Sequence, residues 1–122
     1  MAYAQTGASG VVLAARSQDE LDGVARRVAG ITPKTEVSVV KYDVTLTLDV
    51  ENLAKAIREE HQGRLDVIVN NAGFLDEAGW KLITEGNPEV FRKAFDVNVF
   101  GVYLVTRTLI SLLLATEGGA RL

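Results

Sequence analysis

The stretch Leu65-Asp66-Val67-Ile68-Val69-Asn70-Asn71-Ala72-Gly73 decides how this chain is read. Its centre, Val67-Ile68-Val69, is apolar and β-branched. A short run that is apolar on both faces suits a strand inside a parallel sheet, where helices cover both sides. The run predicts a strand over Leu65–Asn70. The residues that follow are small or carry amides, and small residues after a buried strand let a ligand approach the backbone closely. By itself Asn70 to Gly73 is also an ordinary Asn-rich turn.

The same pattern extends towards the N-terminus. Val11-Val12-Leu13-Ala14-Ala15 is another short apolar run, after Gly10, and Val37 to Tyr42 is a half-alternating one. Helical periodicity fills the gaps. Ser17 and Glu20 have the spacing of a capping box. Leu21, Val24, Ala25 and Val28 then recur on one helix face, and Gly30 ends the helix. Val50, Leu53, Ala54 and Ile57 share a face of the next helix, with Gly63 past its end.

Towards the C-terminus, 71–86 reads as a loop. Asn87 caps a further helix, with Pro88 at its first position, where a missing N–H costs nothing. The helical pattern continues to about Thr116 with Asn98 and Gly101 inside it, and Gly118-Gly119 closes it. Ala120-Arg121-Leu122 reads as the start of another strand. Strand and helix alternate three times, which predicts a parallel sheet with right-handed crossovers and helices on both faces.

Composition narrows the function. A chain of 122 residues allows one compact domain. A net charge of −3 gives no electrostatic footprint for nucleic acid or an anionic membrane. The absence of cysteine excludes disulfides, thiolate metal sites and cysteine nucleophiles. The single histidine, His61, cannot build a histidine metal site alone and reads as solvated, after Glu59 and Glu60 at a helix end. No basic run precedes an apolar stretch at the N-terminus, so no signal peptide is expected, and the cytoplasm is the default location. Val97 to Leu114 is apolar enough to be mistaken for a membrane span. Arg107 near its middle costs about 2.5–3.5 kcal/mol on insertion, so a buried helix of a soluble domain is expected.

Parallel α/β sheets bind ligands outside the carboxyl ends of their strands. Three such ends are present. The first carries Arg16, whose planar guanidinium suits a phosphate, with no acid at Ala15 to hold a ribose 2′-hydroxyl instead. The second carries Asp43-Val44-Thr45, and the third Asn70-Asn71-Ala72-Gly73. Singly, these are a surface arginine, a turn aspartate and an Asn-rich turn.

In order and spacing, Arg16, Asp43-Val44, Asn70-Asn71-Ala72-Gly73 and Val97-Asn98-Val99 resemble the short-chain dehydrogenase/reductase family over essentially the whole chain. The resemblance implies a partial Rossmann-type doubly wound α/β fold, with strands equivalent to the family's second, third and fourth, and residues 1–122 as a partial NAD(P)-binding domain. It implies that Arg16 holds the 2′-phosphate of NADP(H), favoured over NAD(H). It places Asp43 at the adenine amino group with Val44 alongside, Asn70 as a tie between strands, and Ala72 and Gly73 at the border of the cofactor. Asn98 matches the catalytic asparagine, which kinks its helix and holds a water of the proton relay. The helix bearing Leu104, Ile110 and Leu114 matches one that commonly packs against a partner subunit, which makes a homo-oligomer the expected partner.

Other family features are not found. Thr6-Gly7-Ala8-Ser9-Gly10 imitates the glycine-rich pyrophosphate turn, but it precedes a strand where the motif follows one, and Val11 and Leu13 stand at its later glycine positions. Met1 to Gln5 instead reads as the last turn of a helix capped by Gly7. The family's catalytic serine and Tyr-x-x-x-Lys have no counterparts. Tyr103 and Arg107 share that spacing, but Tyr103 falls on an apolar position and reads as core. The strand order 3-2-1-4-5-6 puts the family's first strand between its second and fourth, so the expected sheet has a gap at its centre. The complete enzyme is expected to move hydride between nicotinamide and a small-molecule carbonyl or alcohol, and this chain alone is expected to be inactive. The competing expectation is a non-enzymatic binding or dimerisation module. A flavodoxin-like or receiver domain shares the alternation without explaining Asn70–Gly73 together with Asn98.

Overall fold

The computed structural model describes residues 2–77 and 81–116. A short helix, α1 (Ala2–Gln5), ends where Gly7 takes a φ of +94°. The Ala8 N–H reaches back to the Tyr3 carbonyl and the Gly7 N–H to the Ala4 carbonyl. These paired bonds form a Schellman motif, which accepts a left-handed residue and therefore glycine. Residues 6–10 thus close a helix and lead into a strand, so they are not a phosphate-binding turn.

Strand β1 (Gly10–Ala15) pairs in parallel with β2 (Glu36–Lys41), in register from Gly10 opposite Glu36 to Ala15 opposite Lys41. Further bonds, Glu36 N–H to the Ser9 carbonyl and Tyr42 N–H to the Ala15 carbonyl, extend the pairing at both ends. Between them runs α2 (Gln18–Ile31). The Ser17 hydroxyl accepts the Glu20 N–H at its start, and Leu21 and Val28 are buried along it. The helix does not end at Gly30. It runs one residue further, because both the N–H and the hydroxyl of Thr32 bond the Val28 carbonyl, and Pro33 follows to stop it.

Helix α3 (Thr47–Glu60) buries Val50, Leu53, Ala54 and Ile57, the four residues its periodicity places on one face. Fully burying such side chains contributes about 1.5–3 kcal/mol each for the larger ones. It packs on β2 and on the last helix. Its end carries the one difference at the histidine. The His61 ring is half-buried, and its Nε2 lies 2.8 Å from the Ser38 hydroxyl of β2. The ring sits over Gly10, where an added Cβ would come within 2.8 Å of Nδ1. His61 is therefore packed across both strands; helical phase alone could not show that it folds back after α3.

The third expected strand is the main departure. The sheet described has two strands, and Leu65–Asn70 contributes only an isolated bridge at Val67. Ile68 is buried in the core, whereas Val69 is 60% exposed. An apolar run becomes a strand only when neighbours take up its N–H and C=O groups. Among the described residues no ladder forms beside it, so one face of the run is covered and the other is bare.

The last helical stretch is continuous from Pro88 to Ala115 but not uniform. Helix α4 (Pro88–Phe95) is capped by Asn87, whose side chain accepts the Glu89 N–H, with Pro88 in the first turn. Asp96–Gly101 is π-helical, and α5 (Val102–Ala115) follows. Val105, Leu109 and Leu113 of α5 join the α3 face, Val44 and Ile68 in one core. This stretch is long and apolar enough to cross a membrane by length and composition, yet its α5 stripe is spent on that core. Tyr103 is not core. It is 60% exposed, because two residues before Val105 is the opposite side of a helix. Leu104 and Ile110 pack partly on the core, and Leu114 is exposed. The expected closure at Gly118-Gly119 and the strand from Ala120 lie outside the described residues.

Candidate functional site

The site is built at the carboxyl ends of β1 and β2. Arg16 follows β1 directly and is exposed. Asp43 lies two residues past β2. Its Oδ1 accepts both the backbone N–H of Thr45, at 2.9 Å, and the Thr45 hydroxyl, at 2.7 Å. This is an Asx turn, with the side chain imitating a backbone carbonyl. The Asp43 N–H in turn donates to Asp49 of α3 at 2.8 Å, which ties the turn to the first turn of that helix. The Thr45 bonds hold the Asp43 carboxyl below the usual carboxylate range, and the charges of Arg16 and Lys93 act in the same direction. The neighbouring Tyr42 phenol is pushed up by burial and by the Asp43 charge.

Val44 points the other way. It is buried in the core, and Gly101 packs so closely on it that a Cβ there would lie 2.7 Å from Val44 Cγ2. The absence of a side chain at Gly101 lets the π-helical segment settle on the β2 end.

The Asn70–Gly73 turn meets that segment. Asn98 donates from Nδ2 to the Phe74 carbonyl at 2.9 Å and accepts the Phe74 N–H on Oδ1 at 2.8 Å. Its amide thus takes up both backbone groups of one residue. A Cβ on Gly73 would lie 3.7 Å from the same Oδ1. π-Helical turns inside α-helices are often found at functional sites, and this one lies where the resemblance places a kink. Asn70 donates to the Thr106 hydroxyl of α5 at 3.4 Å, so among the described residues it ties the turn to a helix and not to another strand. Ala72 is exposed beside it.

Two residues outside the sequence reading complete the arrangement. Lys93 of α4 places its Nζ 4.5 Å from the centroid of the Phe74 ring. Its charge also reaches Asp43. Lys93, Phe74, Asn98 and Gly73 thus stand in direct succession, Phe74 being held at its ring by Lys93 and at its main chain by Asn98. Phe74 follows the quoted turn directly, and Lys93 lies five residues before Asn98, but no local pattern marks either one. Among the described residues no group of acidic or histidine side chains could hold a metal ion.

The family model for short chain dehydrogenases matches residues 1–120. The chain belongs to the short-chain dehydrogenase family. Its relatives include the short chain dehydrogenase pigC of Monascus ruber, 38% identical over 96% of this chain and 39% of that protein. The uncharacterized oxidoreductase YciK of Escherichia coli is 31% identical over 98% of this chain and 46% of its own length. Among solved structures, L-sorbose reductase from Gluconobacter frateurii, complexed with NADPH and L-sorbose, superposes with a TM-score of 0.85 at 28% identity, over 98% of this chain and 43% of that one. A short chain dehydrogenase from Escherichia coli CFT073 complexed with NADPH gives 0.82 at 29% identity, over 98% and 48%. This short-chain dehydrogenase sequence thus spans less than half the length of these relatives. The likeness establishes the partial Rossmann-type α/β fold and places the chain in an oxidoreductase family that uses nicotinamide cofactors.

Proposed function

We propose that residues 1–122 are a partial NAD(P)-binding domain of an NADP(H)-dependent short-chain oxidoreductase whose whole protein moves hydride between nicotinamide and a small carbonyl or alcohol compound. One observation carries the reading: a solvent-accessible cation, Arg16, and a carboxylate kept ionised, Asp43, stand at adjacent strand ends on one side of the sheet. The donor set fits the cofactor. Arg16 matches a 2′-phosphate, since a guanidinium pairs with phosphate oxygens in a planar fork. Asp43 matches an adenine amino group, because the described hydrogen bonds fall on Oδ1 and none falls on Oδ2. Ala72 and Gly73 leave the backbone of the turn open. Two similar structures are described as NADPH complexes, which supports the same preference.

When bound, the cofactor supplies the hydride. The part of these residues is to bind and orient. Asn98 fastens Phe74 with both ends of its amide, so its side chain fixes the turn, and any hold on a relay water falls to its main chain. No Tyr-x-x-x-Lys is present, since Tyr3, Tyr42 and Tyr103 are followed four residues later by Gly7, Leu46 and Arg107. Hydride transfer needs a proton donor at the carbonyl oxygen. The 122 residues by themselves are therefore proposed to be inactive.

The test is binding of NADPH and NADH to the chain and to Arg16→Asp by fluorescence titration. Losing a charge-assisted phosphate contact of about 1.5–3 kcal/mol lowers NADPH affinity roughly tenfold or more and leaves NADH unaffected or improved. Equal loss for both cofactors would remove Arg16 from the 2′-phosphate.

A second reading, association through the long helix, rests on a specific observation. Phe91, Phe95, Val99 and Tyr103 are 67%, 47%, 50% and 60% exposed and recur every four residues. The Phe91 and Phe95 rings meet tilted at 46°, with 5.0 Å between centroids. Sedimentation of the chain against Phe91→Ser/Phe95→Ser tests it, and an unchanged oligomeric state removes it.

A further inference from the structure

Arg16 and Asp43 stand one and two residues past the last paired residues of β1 and β2, Ala15 and Lys41. Their charges are opposite. A second carboxylate lies on the Asp43 side, because Asp49 Oδ2 takes the Asp43 N–H at 2.8 Å. A phosphate is therefore drawn to Arg16 and repelled from the β2 end. What the β2 end can hold is a neutral group with N–H donors, since an ionised carboxylate only accepts.

Such a group is selected only if the carboxylate is aimed. A free aspartate side chain turns about two bonds, and a ligand that fixes it costs that rotamer freedom. Asp43 has given it up before any ligand arrives. Its Oδ1 takes the Thr45 hydroxyl at 2.7 Å and the Thr45 N–H at 2.9 Å. Both bonds fall on one oxygen, so the carboxylate is pinned by one edge, and among the described residues no hydrogen bond falls on Oδ2. The main chain beneath it is also fixed. Asp49 holds the Asp43 N–H, and the Leu46 N–H donates to the Asp43 carbonyl at 3.0 Å. Of the groups on Asp43, the Thr45 hydroxyl is the one side-chain donor, and a hydroxyl on a carboxylate is a charge-assisted bond.

We propose that Thr45 is a positioning residue for base selection in the adenosine half of the cofactor: its hydroxyl pins Oδ1 of Asp43 so that Oδ2 is held ready for an exocyclic amino group. The proposal rests on the cofactor reading above and deepens it to a choice of base. Thr45 itself makes no contact with the ligand. Its effect appears in the preference for a 6-amino purine and not in affinity for every ligand.

The experiment titrates the 122-residue chain with adenosine 2′-monophosphate and with purine riboside 2′-monophosphate, which lacks only the 6-amino group. Binding is followed by amide NMR for wild type, Thr45→Val and Thr45→Ser. Wild type binds the amino compound about 3- to 10-fold more tightly, the effect of one hydrogen bond at a solvated site. Thr45→Val brings that ratio to within about twofold of unity, because the carboxylate must then be ordered on binding. Its affinity for the purine riboside compound stays at the wild-type value. Thr45→Ser keeps the hydroxyl and returns the ratio to within about twofold of wild type. A Thr45→Val ratio equal to or above that of wild type, or one that Thr45→Ser does not restore, overturns the proposal and leaves Asp43 as the base-binding group. Equal weakening of both ligands in Thr45→Val, or loss of its folded amide spectrum, also overturns it, since the hydroxyl is then a direct contact or a determinant of the fold. A wild-type chain that does not distinguish the two ligands overturns the adenine assignment of Asp43 and the role of Thr45 with it.

Discussion

The β1–α2–β2–α3 half of the molecule and the stretch from Leu65 to Gly101 are made of similar residues but are held differently. In the first half most ends close locally: Gly7 in a Schellman turn just before β1, Ser17 on the Glu20 N–H and Thr32 on the Val28 carbonyl, while Leu46 starts α3 without a side-chain cap. Parallel pairing of β1 with β2 then satisfies the facing backbone groups of both strands along six residue pairs. In the second stretch the local signals are as strong, yet Val67-Ile68-Val69 forms no ladder among the described residues, and the helix after Asn87 changes pitch at Asp96. What holds this stretch comes from elsewhere in the chain: Val44 under Gly101, Phe74 on Asn98, Thr106 on Asn70. Local satisfaction makes an element legible, whereas borrowed satisfaction hides it until the chain is folded.

The contrast is broken most severely where the halves share a core. Leu113 of α5 is fully buried against the α3 face. Leu113→Ala is expected to cost about 3 kcal/mol, from lost transfer energy and the cavity left behind. Urea unfolding followed by circular dichroism measures it. A loss confined to the last helix, with β1–α2–β2–α3 unfolding at its wild-type midpoint, would mean that the halves are independent.

A sharper test lies at Gly101. Alanine there gains about 1 kcal/mol of helix propensity and meets Val44 Cγ2 at 2.7 Å. Overpacking of this kind costs about 1–3 kcal/mol, so Gly101→Ala is expected to be net destabilising by about 1 kcal/mol. In a Val44→Ala background the same change becomes stabilising. A double-mutant cycle reads the coupling, and additivity within error would mean that Val44 does not set the approach of the π-helical segment.

The smallest expected effect concerns Asp43. Its native carboxyl is held low, chiefly by the Thr45 hydroxyl and then by the Thr45 N–H. A carboxyl lowered on folding contributes stability that is complete above its unfolded value of about 3.9 and is lost as pH falls through the native value. Thr45→Val raises the native value towards the ordinary range. The variant is therefore less stable than wild type at neutral pH, by less than about 1 kcal/mol at so solvated a group, and the two converge at strongly acid pH. A constant offset across the range would assign the loss to the β-turn itself and not to the Asp43 charge.

At the site, legibility followed the same division. Arg16 and Asp43 were readable because each follows a strand that its own apolar run announces, and parallel strands align their carboxyl ends. Asn98 stood out by resemblance, but its bonds to Phe74 depend on a turn 24 residues earlier. Lys93 carried no signal, since an exposed lysine on an amphipathic helix has the pattern of a solvated face. His61 and Tyr103 were misread for related reasons: one folds back over Gly10 after its helix ends, and the other faces away from the stripe that α5 buries.

The sequence alone determined the order of helices and of the two paired strands, the α3 core face, the N-caps Ser17 and Asn87 and the two strand ends that carry Arg16 and Asp43, because these depend on side-chain period and on hydrogen bonds closed within a few residues. Only the tertiary structure decided that Ile68 is covered while Val69 is bare, that the helix loosens to a π-turn at Asn98, and that Lys93 meets the Phe74 ring. Each of those depends on a partner far along the chain, and the energy of such a contact exists only once folding has brought both sides together.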